Sequence, residues 1–97
     1  MQFDFNNPYT STRLPVFARN VVSTSHPLGS QAGLRMLWQG GNAMDAAIAA
    51  LFCIGVVNPQ SAGIGGGFLM TIYDSKNGTA RCLDARETAP AAATENM

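Results

Sequence analysis

Apolar positions between residues 43 and 57 fall on every side of a helix with 3.6 residues per turn. No charged residue occurs from Ala46 to Val57, and the bulky apolar positions of this segment are Met44, Ile48, Leu51, Phe52, Ile54, Val56 and Val57. A helix that is apolar all round is expected to be buried all round. Asn42 is its predicted N-cap, with Asp45 near the positive end of the helix dipole, and Asn58-Pro59 ends it.

The preceding segment, residues 27–39, has the pattern of a helix with two apolar sides. One side carries Leu28, Ala32, Met36 and Leu37 with Gly29 and Gly33 between them, and the other carries Leu34 and Trp38. Each glycine weakens a helix by about 1 kcal/mol relative to alanine, so we expect another backbone to pack closely there. The hydroxyls of Ser23, Thr24 and Ser25 are the predicted N-caps, Pro27 suits the first turn, and Gly40-Gly41 suits the end.

Three segments have strand patterns. Residues 16–24 contain two short apolar runs and predict a short strand, and residues 68–73 and 79–85 predict a hairpin. The loop of this hairpin, residues 74–78, contains Asn77-Gly78, the strongest short hairpin signal. Residues 1–14 are polar, contain a turn signal and are predicted to be an irregular lead-in.

The order of strand, helix, helix and hairpin predicts an α+β domain over residues 15–97. One short helix and three short strands cannot enclose a helix that is apolar all round. We therefore expect more protein around this chain, either because it is the first part of a longer polypeptide or because it associates with another chain.

Charge and composition narrow the classes of partner. The 97 residues include six basic and six acidic side chains with no charged run, which argues against a nucleic-acid or anionic-membrane partner. The first twenty residues lack the apolar core of a secretion signal, and the apolar stretch from Ala46 to Val57 is too short to span a bilayer.

The side chains that most often bind metals are few and badly spaced for that purpose. Cys53 and Cys82 form no metal-binding motif, and we predict two buried thiols, with a disulfide left open. His26 is the sole histidine, so no metal site is predicted. The sequence predicts no cofactor. A capping or surface role for His26 is favoured over a catalytic arrangement with Ser25 and Asp45.

A glycine run, residues 63–67, forms a loop with almost no side chains. Such a loop could present backbone N–H groups to an anion, but this one follows a helix and precedes a strand, which reverses the order in nucleotide-binding loops. A tight turn that lets backbone or substrate approach closely is the favoured interpretation.

Arg86 follows the second hairpin strand directly. A guanidinium there could bind a carboxylate through two parallel hydrogen bonds. The alternative is a salt bridge to Asp84 or Glu87, and the residues alone leave both open.

Several motifs in a fixed order resemble the start of the large subunit of γ-glutamyltranspeptidases, also called glutathione hydrolases. The resemblance covers about residues 16–97, through the segments at 25–28, 40–47, 58–61, 63–68 and 83–90. It implies an N-terminal nucleophile hydrolase, a four-layer αββα sandwich that is incomplete in this chain, made as a precursor that cleaves itself into two subunits.

The same resemblance implies that substrate binding and catalysis are carried out by residues of different subunits. The arginine of the family's Arg-Glu-Thr-Ala-Pro segment, here Arg86, binds the α-carboxylate of the γ-glutamyl group. The nucleophilic threonine lies in the small subunit, so this chain holds no catalytic residue and is expected to be inactive alone. The implied partners are glutathione or another γ-glutamyl substrate, an acceptor amino acid, dipeptide or water, the rest of the large subunit and the small subunit.

Two other functions stay open at this point. One is a related acylase that acts on cephalosporin side chains or on poly-γ-glutamate. Arg86 favours a substrate with an α-carboxylate over a bare side-chain acyl group. The other is a non-catalytic association module, favoured by the end at Met97 without a closing element.

Family members carry a membrane anchor or a secretion signal, and residues 1–14 show neither, which leaves the compartment open.

Overall fold

A computed structural model of the chain describes residues 15–96, so the lead-in predicted for residues 1–14 and the residue Met97 lie outside the described part. Two helices and one hairpin follow each other: α1 (Pro27–Trp38), α2 (Ala43–Val57), β1 (Phe68–Asp74) and β2 (Thr79–Ala85). This confirms an α+β chain with both predicted helices and the predicted hairpin. Among the described elements, α1 packs on α2 and β1 pairs with β2.

The first predicted strand, residues 16–24, is wrong. The described sheet has two strands, β1 and β2, and residues 16–24 pair with neither. Without a partner strand their backbone cannot form a ladder, and side chains hold the segment instead. Val22 lies against Gly33, and the Thr24 hydroxyl donates to the carbonyl of His26 at 2.6 Å.

The start of α1 also differs from the prediction. The N-cap is His26, whose Nδ1 accepts the N–H of Leu28 at 3.1 Å, and Pro27 occupies the first helical turn as expected. The hydroxyls of Ser23, Thr24 and Ser25 are therefore not the caps. A neutral imidazole nitrogen can accept a backbone N–H as a hydroxyl oxygen does, which is why residue type alone did not single out His26.

Asn42 is the N-cap of α2, as predicted, and it forms a capping box with Asp45. Asn42 Oδ1 accepts the N–H groups of Met44 at 2.9 Å and of Asp45 at 3.0 Å, and Asp45 Oδ2 accepts the N–H of Asn42 at 2.8 Å. Three N–H groups at the helix start are thereby satisfied.

Small residues form the contact between the helices. Ala46, Ala50 and Ile54 are the buried apolar residues of the described chain, and the buried glycines of α1 are Gly29 and Gly33. A Cβ atom on Gly33 would lie 3.2 Å from the carbonyl oxygen of Ala46, so the predicted close approach of a second backbone occurs there. At Gly29 the neighbour from α2 is the side chain of Ile54 instead.

The remaining apolar sides of the helices are not covered by the described residues. Exposed fractions reach 64% at Phe52 and 78% at Val56 in α2, and 80% at Trp38 in α1. The described chain thus leaves these sides of α2 uncovered, as expected from its small number of elements, and Phe68 of β1 is 41% exposed as well. One helix and one hairpin supply too little surface to cover these apolar side chains.

No helix within residues 15–96 combines the length and apolar character that crossing a bilayer requires.

The hairpin has regular antiparallel pairing from Phe68↔Ala85 to Asp74↔Thr79. Gly78 ends its loop with a φ of 63°, a backbone conformation that favours glycine. Cys82 is exposed on β2 and Cys53 is partly buried in α2, and both thiols are free. The prediction of two buried thiols is therefore wrong for Cys82, because nothing described covers that face of the hairpin.

Candidate functional site

Arg86 lies immediately beyond β2, at the exit of the hairpin, and its side chain is exposed. The ladder ends at the pair Phe68↔Ala85, so the N–H of Arg86 has no strand partner. The carboxylate of Asp84 supplies one, since its Oδ1 accepts that N–H at 3.0 Å. This side-chain contact fixes the backbone from which the guanidinium extends.

Both acidic neighbours of Arg86 are engaged elsewhere. Asp84 binds the backbone N–H of Arg86, and Glu87 Oε2 lies against Gly67, at the place where a Cβ atom would be. Neither contact involves the guanidinium. The observed contacts thus do not form the salt bridge that was the alternative role of Arg86.

The glycine run meets the Arg86 segment through its last member. A Cβ atom on Gly67 would lie 2.8 Å from the carbonyl oxygen of Ala85 and 2.8 Å from the nitrogen of Glu87. Both are backbone atoms, so a side chain at position 67 would displace the chain on either side of Arg86. The hairpin therefore brings two of the sequence motifs together, the end of the glycine run and Arg86.

The rest of the glycine run is an open turn. The N–H of Gly66 donates to the carbonyl of Gly63 at 3.2 Å, and a Cβ atom on Gly63 or Gly65 would have no neighbour within 4 Å. The close approach expected of this loop is thus concentrated at Gly67. The hairpin register could have predicted this contact, because the pairing of residue 68 with residue 85 places residue 67 opposite residue 86.

Another of the motifs, the segment at 40–47, serves the helix pair. Residues 41–47 form the capping box and first turn of α2, and Gly41 N–H donates to the carbonyl of Met36 at 2.8 Å. Among the described elements α2 packs on α1 and not on the hairpin, so the structure does not bring this motif to Arg86. Its contribution is to begin α2 in a fixed register.

The arrangement of Ser25, His26 and Asp45 does not form a catalytic triad. His26 Nδ1 caps α1, Ser25 Oγ accepts from Asn58 Nδ2 at 3.4 Å, and Asp45 Oδ2 accepts the N–H of Asn42. Each polar group has a structural partner, which confirms the capping role favoured for His26. Within residues 15–96 there is no cluster of three or more His, Cys, Asp or Glu side chains that could hold a metal ion.

Comparison with known proteins identifies the family of the chain. Residues 29–97 match the family described as Gamma-glutamyltranspeptidase. The chain is 48% identical over 77 residues to the glutathione hydrolase proenzyme of Bacillus subtilis (strain 168), an alignment that covers 79% of this chain and 13% of the relative. It is 52% identical over 82 residues to scoloptoxin SSD14 of Scolopendra dehaani, with 84% of this chain and 14% of the relative covered.

The fold is also similar to solved structures. The crystal structure of Helicobacter pylori gamma-glutamyltranspeptidase superposes with a TM-score of 0.75 and 42% sequence identity, over 88% of this chain and 24% of that chain. The chain thus spans only a small part of the length of the proteins that it matches. The family match covers more than half of its residues and agrees with the order of its motifs: this chain belongs to the γ-glutamyltranspeptidase family.

Proposed function

We propose that this chain forms part of the substrate site of an enzyme that hydrolyses or transfers the γ-glutamyl group of glutathione and related compounds. The family match and the names of relatives such as the glutathione hydrolase proenzyme of Bacillus subtilis support this activity. The γ-glutamyl group passes to water, or to an amino acid or dipeptide, through a covalent γ-glutamyl enzyme. No observation on this chain favours the acylase or association-module alternatives.

The chain takes part in this enzyme as the N-terminal portion of an αββα sandwich. Two observations support that placement: the apolar sides of α2 are exposed at Leu51, Phe52 and Val56, and the two-stranded sheet has no further strand among the described residues. Exposed apolar patches of this kind mark surfaces that another part of a protein covers. The rest of the large subunit and the small subunit are the covering partners.

Arg86 binds the α-carboxylate of the γ-glutamyl group. The observation that carries this role is the exposed position of Arg86 beyond β2, with Asp84 and Glu87 both engaged in other contacts. A guanidinium presents a planar pair of N–H donors that matches the two oxygens of a carboxylate. Two open grooves on the helix pair do not include Arg86. The other walls of the carboxylate site are assigned to the covering partners.

Bond cleavage is carried out by groups outside this chain. A threonine at the N-terminus of the small subunit attacks the γ-glutamyl amide, and its own free amine can act as the base. Backbone N–H groups stabilise the oxyanion that forms. The seven threonines of this chain are therefore not candidates for the nucleophile.

A chimeric enzyme tests the proposal. The whole chain replaces the segment that it matches in the Bacillus subtilis glutathione hydrolase, with which it shares 48% identity. The chimera should cleave itself into two subunits and hydrolyse γ-glutamyl donors. Arg86→Ala should raise KM by about 30-fold or more, since removing one partner of a buried charge pair costs about 2–5 kcal/mol.

Two controls make the test specific for the carboxylate. Arg86→Lys keeps the charge but loses the planar pair of donors, so its KM should lie between those of the parent and Arg86→Ala. A donor whose α-carboxylate is converted to a carboxamide should be nearly insensitive to both variants. An active chimera whose KM for the ordinary donor is unchanged by Arg86→Ala would contradict the role of Arg86.

A further inference from the structure

The Asp84 side chain binds the backbone of Arg86, and Gly67 lies close to the same backbone segment across the hairpin. We propose that Gly67 and Asp84 are positioning residues that set the direction of the Arg86 side chain, a role that rests on the proposed function of Arg86. Neither residue needs to touch the substrate. Each acts on the peptide units that flank Arg86.

Asp84 acts through a hydrogen bond that continues where the ladder stops. The last pair of the hairpin is Phe68↔Ala85, and Asp84 Oδ1 accepts the N–H of Arg86 at 3.0 Å one residue later. Aspartate side chains commonly bind the backbone two residues further on and thereby fix a local turn. Without this acceptor, the N–H of Arg86 would be free to turn to solvent. The backbone from which the guanidinium extends would then no longer be held in one position.

Gly67 acts through the absence of a side chain. A Cβ atom there would lie 2.8 Å from the carbonyl oxygen of Ala85 and 2.8 Å from the nitrogen of Glu87, the two peptide groups that bracket Arg86. Real Cβ atoms do not lie at that distance from backbone atoms, so a side chain at position 67 would displace the bracketed segment as well as the Glu87 carboxylate, which lies at the same place. The requirement is for space rather than for an unusual backbone angle, because the glycines with positive φ are Gly40 and Gly78.

Gly65 supplies a matched control within the same loop. A Cβ atom on Gly65 would meet nothing within 4 Å, so Gly65→Ala adds the same methyl group without touching the Arg86 segment. Asp84 has a matched pair of its own. Asp84→Asn keeps an oxygen acceptor in the same place, whereas Asp84→Ala removes it.

The experiment measures kcat and KM of these variants in the active chimera, with the ordinary γ-glutamyl donor and its carboxamide analogue. Gly67→Ala and Asp84→Ala should raise KM for the ordinary donor by roughly tenfold to a hundredfold, the loss that misplacing a binding group by about 1 Å can cause. Gly65→Ala and Asp84→Asn should stay near the parent. The carboxamide donor should hardly respond, since it lacks the group that Arg86 binds.

A double-mutant cycle separates positioning from general damage to the fold. If Gly67 and Asp84 act through Arg86, then Gly67→Ala and Asp84→Ala should add almost nothing to KM in an Arg86→Ala background. Additive effects, or equal losses with both donors, would overturn the inference. If Gly67→Ala does not give a self-cleaved enzyme, the KM of Asp84→Ala tests the inference alone. This variant removes atoms without adding bulk, so it should still fold.

The same data distinguish this inference from the proposed function. If Arg86→Ala raises KM while both positioning variants match the parent, the positioning inference is refuted and the proposed role of Arg86 stands. An active chimera in which Arg86→Ala leaves KM unchanged refutes the role of Arg86, and the positioning role with it.

Discussion

Gly29 in α1 and Ile54 in α2 lie in direct contact at the crossing of the two helices. A Cβ atom on Gly29 would be 2.6 Å from Cδ1 and 2.9 Å from Cγ1 of Ile54, whose side chain is buried. Glycine at position 29 lowers the helix propensity of α1, but it allows the Ile54 side chain to lie against the α1 backbone. Close packing of this kind tolerates added atoms poorly.

Gly29→Ala should destabilise the chain, although alanine is the better helix former. The gain in helix propensity is about 1 kcal/mol, and overpacking a filled contact costs about 1–3 kcal/mol, so the expected net loss is about 1 kcal/mol. Urea denaturation followed by far-UV circular dichroism measures it. The control is Gly55→Ala, where the added Cβ would meet Gly63 Cα at an ordinary 3.8 Å. That variant should gain about 0.5–1 kcal/mol.

A second substitution tests whether the contact itself causes the loss. Ile54→Val removes Cδ1, the atom nearest to the added methyl group, and should restore part of the stability of Gly29→Ala. The two substitutions should therefore be non-additive. If Gly29→Ala stabilises the chain as much as Gly55→Ala does, then the two helices are not in contact at this point in solution.

The capping box of α2 should contribute measurably to its stability. Asn42→Ala removes the acceptor for the N–H groups of Met44 and Asp45 and should cost about 1 kcal/mol. Asn42→Asp keeps a side-chain oxygen and adds a negative charge at the positive end of the dipole, so it should be nearly neutral. Urea midpoints of the two variants provide the comparison, and equal losses would mean that the cap is not formed.

Local signals in the sequence predicted most of the secondary structure. The bounds of α1 and α2 follow from Pro27, Asn42 and Asn58, and the hairpin follows from Asn77-Gly78 between two apolar runs. These signals work because each acts within one or two turns of the chain. They depend on backbone hydrogen bonding near the residue itself and not on distant partners.

Features that depend on distant partners were predicted less well. Residues 16–24 have strand composition, but a strand requires a neighbour with which to pair, and the described sheet offers none. The burial expected for Cys82 failed for the same reason, whereas the exposed outer sides of α2 agree with the expectation that so few elements cannot enclose it. Apolar composition shows that a residue needs cover, but it does not show what provides it.

The candidate site lies between these two cases. The residues placed Arg86 after a strand and a glycine run before its partner strand, and family resemblance supplied the carboxylate role. The contact of Gly67 with the peptide groups around Arg86 was not predicted, although the hairpin register contains it. The contacts of Asp84 and Glu87 could not be predicted, because their side chains had the guanidinium as an equally reasonable partner.

The hairpin loop should be sensitive to acid through Asp74. The amide of Asn77 donates to Asp74 Oδ2 at 2.6 Å, and the N–H of Lys76 donates to Oδ1 at 3.0 Å. These hydrogen bonds, that of Asn77 first, hold the pKa of Asp74 below its ordinary value of 3.8. A carboxylate with a lowered pKa stabilises the folded state above its unfolded-state pKa, and this contribution is lost as the pH falls through its folded-state pKa.

A carboxyl NMR titration of the chain labelled with ¹³C-aspartate measures this effect. The Asp74 resonance should titrate below 3.8, and Asn77→Ala should move its midpoint back toward that value. Ser75→Ala is the control, since it changes the same loop without removing either donor to Asp74. An Asp74 midpoint that is the same in the parent and in Asn77→Ala would show that the loop hydrogen bond does not form in solution.

The two free thiols should differ in their rate of modification. Cys82 is exposed on β2 and Cys53 is partly buried in α2, and a thiol reagent must reach the sulfur before it can react. Ellman's reagent should therefore titrate two thiols in two phases, with Cys82 in the fast one. Cys82→Ser should abolish the fast phase, and Cys53→Ser the slow one, while urea should merge the phases. In the chimera the fast phase should slow down if the covering partners lie over the Cys82 face of the hairpin, and an unchanged rate would place them elsewhere.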